Sequence, residues 1–423
     1  MKWLRFSVFV ILSLCLTGCE GKPDCTNSIP LVSYENDGDP LVQPRVVVRE
    51  LTRSNPAAYS LAIHVGDPAN PQQVSVVPDT GSSALVLQGK DCIGCFANTR
   101  YAPSGLATVL PGTAQLIYGS GQAEVQRVQD HICWPKTDVA FPMEFNVMTK
   151  SEHLPSVLGL AYASLLEPVK FETVADQNPL THTFLGELFN HAQLPRRFSL
   201  LLCGLCGGSR FIVGDETATG RIHHSDVRQW TSVTKQAYYS VPAQSLWWVA
   251  SNKRSKLGDF FDSRLSDDHR DRVILDSGST FLVLPPHMAS NLARLLSRIA
   301  TKNRMVLPKG FWGVQRGSPA VLVKQRHLDL SKFPDLEIVL SGGNFVDSTI
   351  AVHRSDGTIT LRIKPQQYLQ EMKKGKRTFA VRAGESLFIL GLPLLESYLT
   401  IFDLENHTVG FADNENLCCS CGG

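Results

Sequence analysis

Two short stretches carry the residues best suited to chemistry: Asp79-Thr80-Gly81-Ser82-Ser83 and Asp276-Ser277-Gly278-Ser279-Thr280. Each aspartate ends an apolar run and precedes a small hydroxyl, a glycine and a serine. Alone, Asp-x-Gly is ordinary turn composition. Two copies, followed by Ala84-Leu85-Val86-Leu87 and Phe281-Leu282-Val283-Leu284, make an internal repeat. Glycine lets each loop turn tightly and approach its twin closely. Thr80 and Ser277 can each donate to the opposite loop. Ser82 and Ser279 can each hold the outer oxygen of their own carboxylate. Face to face, Asp79 and Asp276 cannot both ionise easily, so they share one proton at mildly acid pH. The ionised member takes a proton from water, and the protonated member polarises the carbonyl that the water attacks. That chemistry is general acid–base hydrolysis of an amide without a covalent intermediate.

Such loops need a scaffold that presents them twice. Each half carries a later echo: Val157-Leu158-Gly159-Leu160 and Ile389-Leu390-Gly391-Leu392, whose glycines follow their aspartates by 80 and 115 residues. Short β-rich runs at 45–50, 59–65, 73–77 and 85–87 are punctuated by Gly, Pro, Asn and Asp, and the pattern continues along most of the chain. This predicts a mainly β protein. Helical spacing is confined to 181–192 and 286–301, the second opening on a proline. A pseudo-twofold axis between the halves would bring the two aspartates together.

The motifs and their order resemble the pepsin-like aspartic peptidases, peptidase family A1, over residues 45–413. Tyr118-Gly119-Ser120-Gly121 is similar to the tip of that family's flap, a hairpin that closes over bound peptide. Residues 155–162 resemble the psi-loop of its first lobe. Residues 211–222 with Tyr238-Tyr239 resemble the entry to its second lobe, and 388–413 its closing strands. The resemblance implies a mainly β, bilobal acid-protease fold with pseudo-twofold related lobes and a cleft between them. The N-terminal lobe is expected at 45–218, the C-terminal lobe at 219–417 and a Cys-rich tail at 418–423. The catalytic pair maps to Asp79 and Asp276, supported by Thr80, Gly81, Ser82, Ser277, Gly278 and Ser279. Tyr118, Gly119 and Ser120 map to the flap. Two positions depart from the family pattern: Pro78 stands before the first aspartate, and Val86 stands where the family has the tryptophan that hydrogen-bonds the flap tyrosine. The implied activity is that of a monomeric aspartic endopeptidase acting on proteins or peptides. The alternative is a catalytically weak or inactive pepsin-fold binding or inhibitor protein of the cell envelope. No Lys/Arg-rich segment lies between Cys19 and Glu50, so activity without a classical prosegment is expected.

The chain has 423 residues, 43% hydrophobic and 19% charged, enough for a bilobal unit with sizeable cores. A formal net charge of +2, with basic residues scattered, gives no reason to expect a nucleic-acid partner. At the N-terminus Lys2 and Arg5 precede an apolar run at 6–16, too short for a membrane span and suited to a signal peptide at 1–18. Leu16-Thr17-Gly18-Cys19 resembles the lipobox of bacterial lipoproteins, which implies an acylated Cys19 anchored in a lipid membrane. Glu20 then points to the periplasmic side of an outer membrane; plain secretion is the other reading. Residues 19–44 are polar and proline-rich, a flexible tether.

Eleven cysteines fit an exported, oxidising setting. Cys92/Cys95 and Cys203/Cys206 are C-x-x-C pairs separated by 107 residues, too far for a compact zinc knuckle. Two local disulfides are expected, with Cys418, Cys419 and Cys421 free to pair with Cys25 or Cys133. No metal-ligand spacing and no cofactor motif is present, so neither metal nor cofactor is expected.

Overall fold

A computed structural model describes residues 46–418, except 56–57, 120, 135–138, 153, 167–181, 220–228, 252, 262–271, 316, 343–345, 348–349, 352–356 and 415. The signal, the tether and Cys19 therefore lie outside the described residues. The mainly β expectation holds. Three sheets position the site. The first has eight strands, in the order Thr52–Asn55, Ala58–Val65, Gln72–Asp79, Val157–Gly159, Leu85–Ile93, Ala140–Ser151, Gly121–Cys133 and Thr108–Tyr118. Its counterpart in the second half joins Val273–Leu275, Phe388–Leu390, Leu282–Leu284 and Val381–Ala383.

The third sheet clasps the halves together. Its six strands run Val46–Glu50, Arg210–Gly214, Arg197–Leu201, Tyr398–Asp403, Thr408–Asp413 and Gln229–Ser232. The central pairing, Phe198 with Phe402, joins residues from opposite halves of the chain and stacks their rings 4.7 Å apart. Tyr239 packs edge-on against Phe402 at 4.6 Å and donates from its hydroxyl to the Leu160 carbonyl at 2.7 Å. Offset and edge-on aromatic packing of this kind adds to plain area burial. Asn406-His407 turns the chain between the last two strands, with His407 at φ 53°.

Both helices form where apolar spacing places them. Phe184–Ala192 buries Phe184, Leu185, Leu188, Phe189 and Ala192, and Thr183 caps it by accepting from the Gly186 N–H. Pro286–Lys302 starts on its proline and buries Met288, Leu292 and Leu296.

One cysteine expectation is corrected. Cys92–Cys95 is bonded as expected, but Cys203 pairs with Cys418 rather than Cys206. The bond joins residues 215 apart, with Cα atoms 5.5 Å from each other. The reason is the six-stranded sheet. It sets Tyr398–Asp403 beside Arg197–Leu201, and Cys203 sits there in one apolar cluster with Leu201, Leu399 and Leu417, against which Cys418 packs. Proximity made by sheet pairing overrides proximity in sequence. The Cys206 side chain lies outside the described residues. Cys133 is a buried free thiol and does not bridge to the tail.

Candidate active site

The two Asp-hydroxyl-Gly loops sit on equivalent strand arrangements. Gln72–Asp79 runs parallel to Val157–Gly159, which pairs antiparallel with Leu85–Ile93. Val273–Leu275 runs parallel to Phe388–Leu390, which pairs antiparallel with Leu282–Leu284. Each loop thus leaves one strand, crosses the end of the Leu-Gly strand and returns on its far side. That crossing explains the echoes. A Cβ on Gly159 would lie 2.3 Å from the Ser83 carbonyl carbon, and one on Gly391 would lie 2.4 Å from the Ser279 and Phe281 carbonyl oxygens. Only glycine lets backbones approach so closely.

The loops meet face to face and lock through four hydrogen bonds. Thr80 Oγ1 donates to the Leu275 carbonyl at 2.9 Å and accepts from the Ser277 N–H at 2.9 Å. Ser277 Oγ donates to the Pro78 carbonyl at 2.8 Å and accepts from the Thr80 N–H at 3.0 Å. Thr80 and Ser277 are both buried, so each bond is shielded from competing water. The glycines reach across in the same reciprocal way. A Cβ on Gly81 would stand 2.8 Å from Asp276 Oδ1, and one on Gly278 would stand 2.5 Å from Asp79 Oδ1. Each carboxylate therefore occupies the space that the opposite glycine leaves.

Within each loop the glycine N–H donates back to its own aspartate: Gly81 to Asp79 Oδ1 and Gly278 to Asp276 Oδ1, both at 2.8 Å. Beyond that the symmetry breaks. Ser82 Oγ donates to Asp79 Oδ2 at 2.6 Å, as expected from the sequence. Ser279 Oγ instead points to the Phe281 carbonyl at 3.4 Å, and Ser279 offers Asp276 its backbone N–H. The expectation that Ser279 holds the outer oxygen of Asp276 with its hydroxyl is therefore corrected: the second loop turns that hydroxyl onto its own backbone. The proton follows the asymmetry. Burial, the Asp79 charge and the hydrogen bond between the two carboxyls all push the Asp276 carboxyl well above the usual range, against the backbone donors Gly278 and Ser279. Asp79 keeps the hydroxyl donor that favours a carboxylate.

Pro78 fits without loss. Val77 N–H donates to Ser156 and the Asp79 carbonyl accepts from Leu160, so the odd positions carry the ladder to Val157–Gly159. Pro78 faces the other way, beyond the last pairing of Ala58–Val65 at Leu61 with Val76. Its missing N–H is not called on, and its carbonyl serves the lock.

The strands Thr108–Tyr118 and Gly121–Cys133 form a hairpin whose last pairing is Tyr118 with Gly121. Gly119 is exposed at the tip; Ser120 lies outside the described residues. Tyr118 faces the aspartates closely enough that, after burial, the Asp79 charge raises its phenol. Among the described residues its hydroxyl makes no protein hydrogen bond. It packs instead, with Leu116, on an apolar cluster that includes Val86, Leu154, Cys92 and Cys95. Val86 thus supports the hairpin by apolar contact where a hydrogen-bonding side chain is absent.

Asp79, Asp276, Tyr118 and Gly119 all line one cleft of about 1430 Å³. Its wall also includes Arg382, which nothing in the local sequence marks: the parallel pairing of Val381–Ala383 with Leu282–Leu284 brings it there. A second hollow, about 810 Å³, is lined by Trp247, Arg254 and Glu337 and touches neither Asp79 nor Asp276. Among the described residues no group of three or more His, Cys, Asp or Glu could hold a metal, and no helix is long and apolar enough to cross a membrane.

Comparison with known proteins agrees with this geometry. The family model for eukaryotic aspartyl proteases matches residues 58–414. Human (Homo sapiens) gastricsin is 26% identical over 371 residues, covering 84% of this chain and 81% of its own length. The gastricsin of Cavia porcellus is 23% identical, with 84% and 80% covered. A beta-secretase of Strongylocentrotus purpuratus is 22% identical over 393 residues; the match spans 84% of this chain but 66% of that relative. With most of the chain matched, the repeat explained and the paired lobes in place, the chain belongs to the aspartyl protease family, has its bilobal pepsin-like fold and is by class an aspartic-type endopeptidase.

Proposed function

We propose that the protein hydrolyses peptide bonds within proteins or peptides by activating water on the Asp79/Asp276 pair. The observation that carries this reading is the reciprocal lock of the loops together with the proton-retaining environment of Asp276. Asp79, held by the Gly81 N–H and the Ser82 hydroxyl, is the general base that takes a proton from water. Protonated Asp276 passes its proton to the scissile carbonyl oxygen as water adds, which gives a tetrahedral diol. The diol collapses as the proton taken up by Asp79 passes to the leaving nitrogen, the C–N bond breaks and a diol hydroxyl returns its proton to Asp276, which restores the shared-proton pair. The hairpin tip with Tyr118 and Gly119 covers the bound peptide, and Ser120 belongs to the same tip by sequence. We also place the chain outside the cytoplasm, carried by the signal at 1–18 and held on a lipid membrane through Cys19, with 19–44 as a tether to a monomeric catalytic unit of lobes 45–218 and 219–417.

Peptide hydrolysis insensitive to chelators and blocked by a statin-type inhibitor, which mimics the tetrahedral diol, is the expected result. Tight peptide binding without any hydrolysis would instead favour a pepsin-fold binding protein. For the anchor, Cys19→Ser is expected to release the protein from membranes; unchanged membrane association would remove Cys19 from the account.

A further inference from the structure

The cleft wall carries four carboxyl groups, Asp79, Glu124, Asp276 and Glu385, and one cation among the described residues, Arg382. Arg382 is 8% exposed, and no described carboxylate pairs with it. Long cationic side chains are rarely this buried without a charged partner. What holds it is backbone and ring. Nη1 donates to the carbonyls of Val381 at 2.8 Å, Phe379 at 3.1 Å and Gly313 at 3.3 Å. The guanidinium carbon sits 4.2 Å from the ring centre of Phe281, which belongs to the Asp276 loop. Nε and Nη2 make no protein hydrogen bond, yet neither is among the polar atoms sealed without a partner. Their edge therefore opens on the cleft.

We infer that Arg382 is a specificity-determining residue, whose free edge takes the carboxylate of an acidic side chain in the bound peptide. The inference rests on the endopeptidase reading and narrows its substrate class to peptides with a Glu or Asp near the scissile bond. Arginine suits the task because its planar fork binds a carboxylate through two parallel N–H donors. Here the fork is already fixed by three carbonyls and a ring, so binding orders little that is not ordered beforehand. Glu385, an exposed neighbour on the same wall, forms no ion pair with Arg382 and does not occupy the edge. The neutral counterpart, glutamine, lacks the charge that makes the bond strong. The competing role is a purely structural one, in which Arg382 only ties down carbonyls. That role predicts equal effects on every substrate.

The test is a set of peptide pairs, each pair differing by Glu or Gln at one position flanking the scissile bond. It is run near pH 6, where a peptide glutamate, with its ordinary pKa of about 4.3, is ionised. At one position the wild type is expected to cleave the Glu peptide at least about 10-fold better in kcat/KM than its Gln twin. In Arg382→Gln that ratio falls to about one, whatever the absolute rate. Arg382→Lys, which keeps the charge and loses the fork, gives a smaller ratio than wild type and stands in if the glutamine variant does not fold. A wild-type ratio near one at every position overturns the inference while leaving the endopeptidase reading intact. So does a ratio unchanged in either variant. Cleavage of no peptide at all overturns both.

Discussion

At the residue scale the centre turns on one difference between two nearly identical loops. Ser82 gives its hydroxyl to Asp79, whereas Ser279 gives its hydroxyl to a backbone carbonyl. A hydrogen bond to a carboxylate favours its charged form and weakens the case for a proton there. Ser82→Ala is therefore expected to lower kcat/KM for a cleaved peptide by about 10-fold or more, since bonds to charged groups contribute about 1.5–3 kcal/mol. Ser279→Ala is expected to change it little. Equal losses in the two variants would contradict the asymmetry. Asp276 yields a stability prediction as well. Its folded pKa is raised, so between the unfolded value of about 3.9 and that raised value the native state binds more protons than the unfolded chain. Stability then falls as pH climbs through that window, by the sign of the linkage relation. Asp276→Asn removes the titration, so thermal melts from pH 4 to pH 7 are expected to show a smaller decline in the variant than in wild type. The aspartates, their hydroxyls and their glycines were legible from sequence because the repeat printed them twice. The turned Ser279 hydroxyl was not, because one rotamer decides it and composition does not encode rotamers.

At the element scale the site is a product of strand crossing. Each loop wraps a Leu-Gly strand, and four glycines, Gly81, Gly159, Gly278 and Gly391, stand where a Cβ would meet backbone or the opposite carboxyl. Gly278→Ala places its methyl within 2.5 Å of Asp79 Oδ1, which forces the pair apart. Displacements near 1 Å at a reacting centre lower rates by about 100-fold. A loss of that order is expected in kcat/KM, with the far-ultraviolet spectrum unchanged; near-wild-type turnover would mean that the loops do not need this approach. The hairpin follows a different logic. Its support is the apolar cluster beneath Tyr118, in which Val86 and the Cys92–Cys95 bridge take part. The hairpin is legible in Tyr-Gly-Ser-Gly through the family resemblance, against which Val86 and Pro78 stand out as departures. That Pro78 lies on the unpaired side of its strand was not legible, because it depends on where Ala58–Val65 stops pairing.

At the scale of the whole molecule, the six-stranded sheet and the Tyr239–Leu160 bond hold the halves so that two loops 197 residues apart share one set of hydrogen bonds. The same sheet brings Cys418 to Cys203, the pairing that sequence spacing misassigned. Long-range register was the illegible part throughout: it places Arg382 in the cleft and Cys418 beside Cys203, and neither has a local signature. The mainly β class and the twofold repeat were legible because they are written in periodicity and in duplicated motifs. The central claim is that Asp79 and Asp276 act as one proton-sharing unit. Its most direct test is kcat/KM for a cleaved peptide across acid to neutral pH, in wild type, Asp79→Asn and Asp276→Asn. The expected wild-type profile declines as pH rises through the raised titration of Asp276, and each variant loses at least about 1,000-fold at every pH. Hydrolysis surviving in either variant, or a wild-type profile flat from acid to neutral pH, would contradict the shared-proton pair.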